Sequence, residues 1–173
     1  IMSSEIKANS IQDKTGTRVL ASDSGSAWSW GSNVPKGTVL QVLSTQTSAY
    51  SATTNSYVDI FTDLQMTTKG ANKILVIGNI NGVVAFDSAG AIQFNLTDGS
   101  SSIQTLTTKY ALGSNSADDP NGSFSFQHLT GVLSASTAYT FNVEFKNNVN
   151  TSSVRVSGDS NSIRTLTLME IKE

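Results

Sequence analysis

The chain has 173 residues, a length that suits one domain with an appended segment. Its 11 basic and 13 acidic residues give a formal charge of −2 and no basic stripe, so neither nucleic acid nor an anionic membrane surface is an expected partner. Cysteine is absent, which excludes disulfides, thiolate metal sites and cysteine nucleophiles together.

Hydrophobic residues make up 38% of the chain and charged residues only 14%, the balance being rich in Ser, Thr, Asn and Gly, a mixture that favours strands and turns over exposed helices. The strongest apolar run, residues 74–77, is strand-sized, far short of the roughly 20 residues of a bilayer span, so no membrane insertion is expected. Residues 1–7 do not follow the basic-then-apolar order of a secretory signal, and export is not indicated.

Residues 1–36 are sparse in hydrophobic side chains and read as an extended N-terminal arm, unable to bury a core of its own. Within it, residues 6–11 and 18–21 suit short strands with a turn at 14–17. Trp28 and Trp30 lie two residues apart, so in an extended chain both indoles share a face. Because aromatic residues are only 8% of the chain, two Trp outside the apparent core point to a contact surface, packing on the chain's own core or a neighbouring subunit being favoured over stacking on a sugar, with Ile6, Ile11, Trp28 and Trp30 as the candidate contacts.

Residues 37–173 change texture to apolar-rich runs separated by Gly, Asn, Asp and Ser clusters, the pattern of a sandwich or barrel. Runs at 39–43, 57–61 and 64–66 come first. The continuous apolar stretch of 73–78 predicts a central strand buried on both faces. Runs at 83–86, 91–96 and 103–110 follow, separated by turns such as that at Asp98 and Gly99. Residues 124–128 form another run. The clearest alternation is Tyr139, Phe141, Val143 and Phe145 against Thr140, Asn142, Glu144 and Lys146, which predicts a half-buried strand. Runs at 154–156 and 163–171 end the chain. No stretch keeps helical periodicity, so the expected fold is an all-β, antiparallel, jelly-roll-like sandwich of roughly eight core strands.

Catalytic chemistry finds little support in these residues. His128 is the single histidine and lies in an alternating run, where an ordinary strand side chain is the simpler reading. Asp118, Asp119 and Asn121 offer oxygen ligands of the kind calcium takes, yet Asp-Pro-Asn-Gly is also ordinary turn chemistry and the remaining ligands are unspecified. Asp59, Asp63, Asp87 and Asp98 are scattered without an acid–base partnership. No catalytic residue, cofactor or metal is therefore assigned. Asn95, Asn121 and Asn150 head glycosylation-type triplets that a chain this rich in Asn, Ser and Thr produces by chance. Turns on a rigid sandwich vary freely, which makes Asp98, Asn115, Asp118, Asp119, Asn121 and Asn148 the candidate exposed binding loops.

Three stretches carry a resemblance. They are Ser4-Glu5-Ile6-Lys7-Ala8-Asn9-Ser10-Ile11 with Thr15-Gly16-Thr17; Ser56-Tyr57-Val58-Asp59-Ile60 leading to Asn72-Lys73-Ile74-Leu75-Val76; and Asp119-Pro120 with Ser136-Thr137-Ala138-Tyr139-Thr140-Phe141 and Leu166-Thr167-Leu168-Met169-Glu170-Ile171. In this order they resemble fibre-like structural proteins of marine tailed phages. The resemblance implies a virion-surface component, a homotrimer, attachment to other virion proteins through the arm, and contact with a host-surface glycan or protein. A capsid decoration or head-fibre protein is the alternative, and a virion-associated glycan depolymerase or a free lectin stand behind it. The long shaft of a complete fibre and a coiled-coil heptad run are both missing, a departure from the pattern.

Overall fold

The computed structural model describes residues 10–12, 18–23, 27–30, 34–48, 51–53, 56–85, 91–99, 101–111, 122–148, 154–156 and 163–173. Their strands are β1 (Ser10–Gln12), β2 (Arg18–Asp23), β3 (Ala27–Trp30), β4 (Val39–Thr47), β5 (Ser51–Thr53), β6 (Val58–Asp59) and β7 (Leu64–Thr67). After these come β8 (Lys73–Ala85), β9 (Ala91–Thr97), β10 (Ser102–Ala111), β11 (Gly122–Leu129), β12 (Ala138–Asn147), β13 (Val154–Val156) and β14 (Arg164–Ile171).

β1, β2 and β3 form a three-stranded antiparallel sheet of their own. The remaining strands build two sheets that face each other. In the six-stranded sheet β8 is central: β11 pairs along one edge, while β14 and then β13 pair along the other, with β4 outside β14 and β5 outside β13. In the five-stranded sheet β12 is central, with β9 and then β10 on one side and β6 and β7 following one another along the other. The chain passes between sheets at β5–β6, β7–β8, β8–β9, β10–β11, β11–β12 and β12–β13. The fold is an antiparallel, jelly-roll-like β-sandwich.

Alternation explains which residues meet between the sheets. Ile74, Val76 and Ile80 of β8 and Leu166 and Leu168 of β14 pack against Ile92, Phe94 and Leu96 of β9 and Phe141, Val143 and Phe145 of β12. The Phe94 and Phe124 rings stack with centroids 4.6 Å apart, joining β9 to β11 across the layer. Phe126 lies over Gly78, where a Cβ would overlap its ring, so the glycine makes room for the aromatic neighbour.

The structure departs from the sequence reading in three places. The runs at 73–78 and 83–86 are one strand: β8 continues through Gly82, whose φ of +73° lets it sit as an extra residue, since Gly122 faces Val83 while Ser123 faces Asn81. The run at 57–61 is strand only at Val58 and Asp59; Ile60 N still donates to Val143 O at 2.8 Å, and the Ile60 and Phe61 side chains enter the core. Finally, β8 is central but buried on one face alone; Leu75 and Ile77 point away from the core and are half-buried. Val34 is already buried, and Gly37 and Thr38 bond backbone to backbone with Lys172, so the described sandwich begins at Val34.

Candidate functional site: two outer faces and an edge cleft

The two sheets present opposite chemistry to solvent. On the six-stranded sheet, register aligns Val42, Met169, Leu75 and Leu129 in one row across β4, β14, β8 and β11. The next row is Ser44, Thr167, Ile77 and Gln127, and the third is Gln46, Thr165, Asn79 and Ser125. None of these twelve side chains is charged. Val42 is 51% exposed and Leu129 53%, with Val132 beyond the end of β11 at 54%. The apolar character that marked residues 73–78 as doubly buried comes from this face.

The outer face of the five-stranded sheet is polar and charged. Asn95, Glu144 and Asp59 form one row across β9, β12 and β6, with Asn95 Nδ2 donating to Glu144 Oε1 at 3.2 Å. Partial burial raises the Asp59 carboxyl above its ordinary range and the nearby Asp63 charge raises it further. Lys146, paired with Gln93, sits 4.4 Å above the Tyr57 ring. A surface carrying Asp59, Glu144 and Lys146 must strip water from charges before it can be covered; the opposite face has no such cost.

At one end of the uncharged face, Lys73 Nζ and Glu173 Oε2 form a 2.9 Å ion pair. The hydrogen bond from Lys73 holds the Glu173 carboxyl below its ordinary range against the opposing effect of desolvation, with the Lys73 and Lys36 charges adding to the lowering.

A cleft of about 260 Å³ opens at the sandwich edge where β10 and β11 approach each other. Asp98 and Ile103 border it from the β9–β10 hairpin, His128 and Leu133 from β11 and the segment after it, and Tyr139 and Phe141 from β12. Its polar groups are held from behind. Asp98 Oδ1 accepts from Ser101 N at 2.8 Å, Tyr139 Oη accepts from Ser134 N at 3.0 Å, and Thr130 Oγ1 accepts from Ile74 N at 2.9 Å. His128 Nδ1 bonds Gln104 Oε1 across the gap between the sheets.

Of the residues singled out from sequence, Asp98 borders this cleft and Asn148 is exposed just beyond β12. Ile11 and Trp30 come together in the small sheet, where both pair with Leu20, while Trp28 pairs with Ser22. Ile6, Asn115, Asp118, Asp119 and Asn121 lie outside the described residues. Sequence reasoning missed the cleft, since His128 and Asp98 are 30 positions apart and meet only through β10. It also missed the uncharged face, although the alternation in residues 164–171 and 73–79 carries its signal. Among the described residues, no cluster of three or more His, Cys, Asp or Glu side chains is arranged to hold a metal ion.

No protein-family profile and no curated protein matches the chain. A chain from a solved structure described as "Structure of infectious bursal disease virus Gx strain" aligns with a TM-score of 0.31 and 12% identity, over 97% of this chain and 42% of its own length. The present chain thus spans less than half of that protein, and nothing about function follows from a likeness at this level.

Proposed function

We propose that this chain is a non-enzymatic structural module of a phage-type virion, the globular end of a short fibre that assembles as a homotrimer and contacts the host surface. The fibre-like sequence pattern described above motivates the virion assignment, and the uncharged outer face of the six-stranded sheet is the observation that carries the assembly. Four strands about 4.8 Å apart and three two-residue rows of about 6.7 Å make a face of roughly 390 Å², within the size range of surface patches that are often functional. Standard interfaces bury about 800 Å² per partner, so the Val42, Met169, Leu75 and Leu129 row with Ile77 supplies the apolar centre of a subunit contact, and the uncharged polar rows and surrounding loops its rim. A second copy is the occupant that suits it. A self-contact between uncharged faces meets no like-charge repulsion, and the Lys73–Glu173 ion pair lies at its margin. Other virion proteins are met through the N-terminal arm.

Light scattering on the intact chain is expected to give the mass of three protomers, falling to one in Leu129→Glu and in Val42→Glu while the thermal melt of the sandwich persists. Wild-type protein at the mass of a single protomer, or variants that keep the assembled mass, would remove the face from the assembly. Gold-labelled antibody on purified particles fixes the location. Label at the tail tip agrees with the fibre reading, label over the shell assigns a decoration or head-fibre protein instead, and unlabelled particles reject a virion role.

A further inference from the structure

We propose that the edge cleft bordered by Asp98, Ile103, His128, Leu133, Tyr139 and Phe141 binds one pyranose ring of a neutral saccharide. Its size sets the first limit. At about 260 Å³ it lies below the roughly 300–1,000 Å³ of sites for drug-sized ligands, which suits a single ring rather than a peptide or a nucleotide.

The lining sets the second limit. Ile103, 40% exposed, and half-buried Leu133 offer aliphatic walls and half-buried Tyr139 an aromatic one, with core residue Phe141 behind them. A carboxylate and an imidazole stand among them. Asp98 only accepts hydrogen bonds when ionised, and with Nδ1 engaged by Gln104 the His128 ring has Nε2 for a hydrogen bond to a ligand hydroxyl, which both donates and accepts. The cleft therefore takes a ligand with an apolar surface on one side and hydrogen-bond donors at its edge. A pyranose has both: axial C–H groups to lie on the aromatic and aliphatic walls, and hydroxyls to donate to Asp98 and to pair with His128. An acidic sugar would set its charge against Asp98, so the neutral class is favoured.

Rigidity supports a binding role. Hydrogen bonds to Ser101, Gln104 and Ser134 hold Asp98, His128 and Tyr139 in place, so closing on a ligand costs little side-chain ordering. Both sheets contribute walls, so the cleft exists only in the folded sandwich.

The site gives a chemical class to the host-surface contact proposed above and rests on that reading for its biological setting, while the binding itself is a property of the folded chain. Saturation-transfer and amide-shift NMR on the intact protein, titrated with glucose, galactose, mannose and N-acetylglucosamine, tests it, with glucuronic acid as the charged control. At least one neutral sugar is expected to bind saturably and to shift the amides of Ile103 and His128. Ile103→Arg, at an exposed position, fills the cleft without touching the core and is expected to weaken binding by about tenfold or more, and Asp98→Ala to weaken it similarly. Val42→Glu on the distant outer face leaves binding unchanged. The proposal is overturned if no neutral sugar binds, if Ile103→Arg binds as well as the wild type, or if glucuronic acid binds equally well. Particle labelling separates the two readings: saccharide binding without label on virions keeps the site and rejects the virion role, and label without saccharide binding does the reverse.

Discussion

Glu170 is a carboxylate on the core-facing side of β14, fully enclosed at the end of the row Arg164, Leu166, Leu168. It persists there because three donors converge on it: Lys69 N at 2.8 Å and Asn72 Nδ2 at 2.6 Å on Oε1, and Gln41 Nε2 at 2.7 Å on Oε2. One side chain thus ties β14 to β4 and to the segment leading into β8, closing that end of the sandwich. Glu170→Leu fits the apolar row but strands the Lys69 and Asn72 donors, Gln41 Nε2 keeping Thr67 O at 2.7 Å, and is expected to cost about 3 kcal/mol, read as a lowered urea midpoint with an unchanged slope. Glu170→Gln keeps one acceptor and should lose less. Alternation along residues 164–170 already places Glu170 on the buried side in the sequence. Its partners could not be foreseen, because Gln41 is 129 positions away.

At the scale of the strand, Gly78 shows how a residue that weakens one element can position two. An isolated glycine in a strand loses backbone entropy and side-chain packing. Here the space is filled by Phe126 from β11, which continues the aromatic row to Phe124 and so to Phe94 on the other sheet. Gly78→Ala must displace that ring and is expected to cost about 2 kcal/mol by thermal or urea denaturation, whereas a glycine in open strand would gain from the same change. The strands that could be read from sequence were those with strict alternation, such as β12, where Phe141, Val143 and Phe145 enter the core as expected. The length of β8 was not readable. Gly78 and Gly82 look like turn residues until a partner ring and a bulge explain them.

For the molecule as a whole, the two outer faces decide which side remains in water. The five-stranded sheet carries Asp59, Glu144 and Lys146 outward, and the six-stranded sheet carries none of the charges in three successive rows. If assembly buries the uncharged face, its driving force is apolar burial, which salt does not screen. The assembled mass is therefore expected to hold when sodium chloride is raised to about 1 M, where charges interact over only about 3 Å. Dissociation at that salt concentration would instead place charged groups at the subunit contact.

Composition and period-two alternation are local properties of the chain. They determined the all-β class, the antiparallel sandwich and which side of β12 is buried, because adjacent side chains in a strand must point opposite ways. Pairing between distant strands is not local. Only the tertiary structure decided that the apolar run at 73–78 belongs half to the core and half to an exposed face, that Glu170 finds three donors, and that Asp98 and His128 border one cleft. Each depends on register between strands, where a shift of one residue would exchange the two faces, and a single sequence does not specify that register.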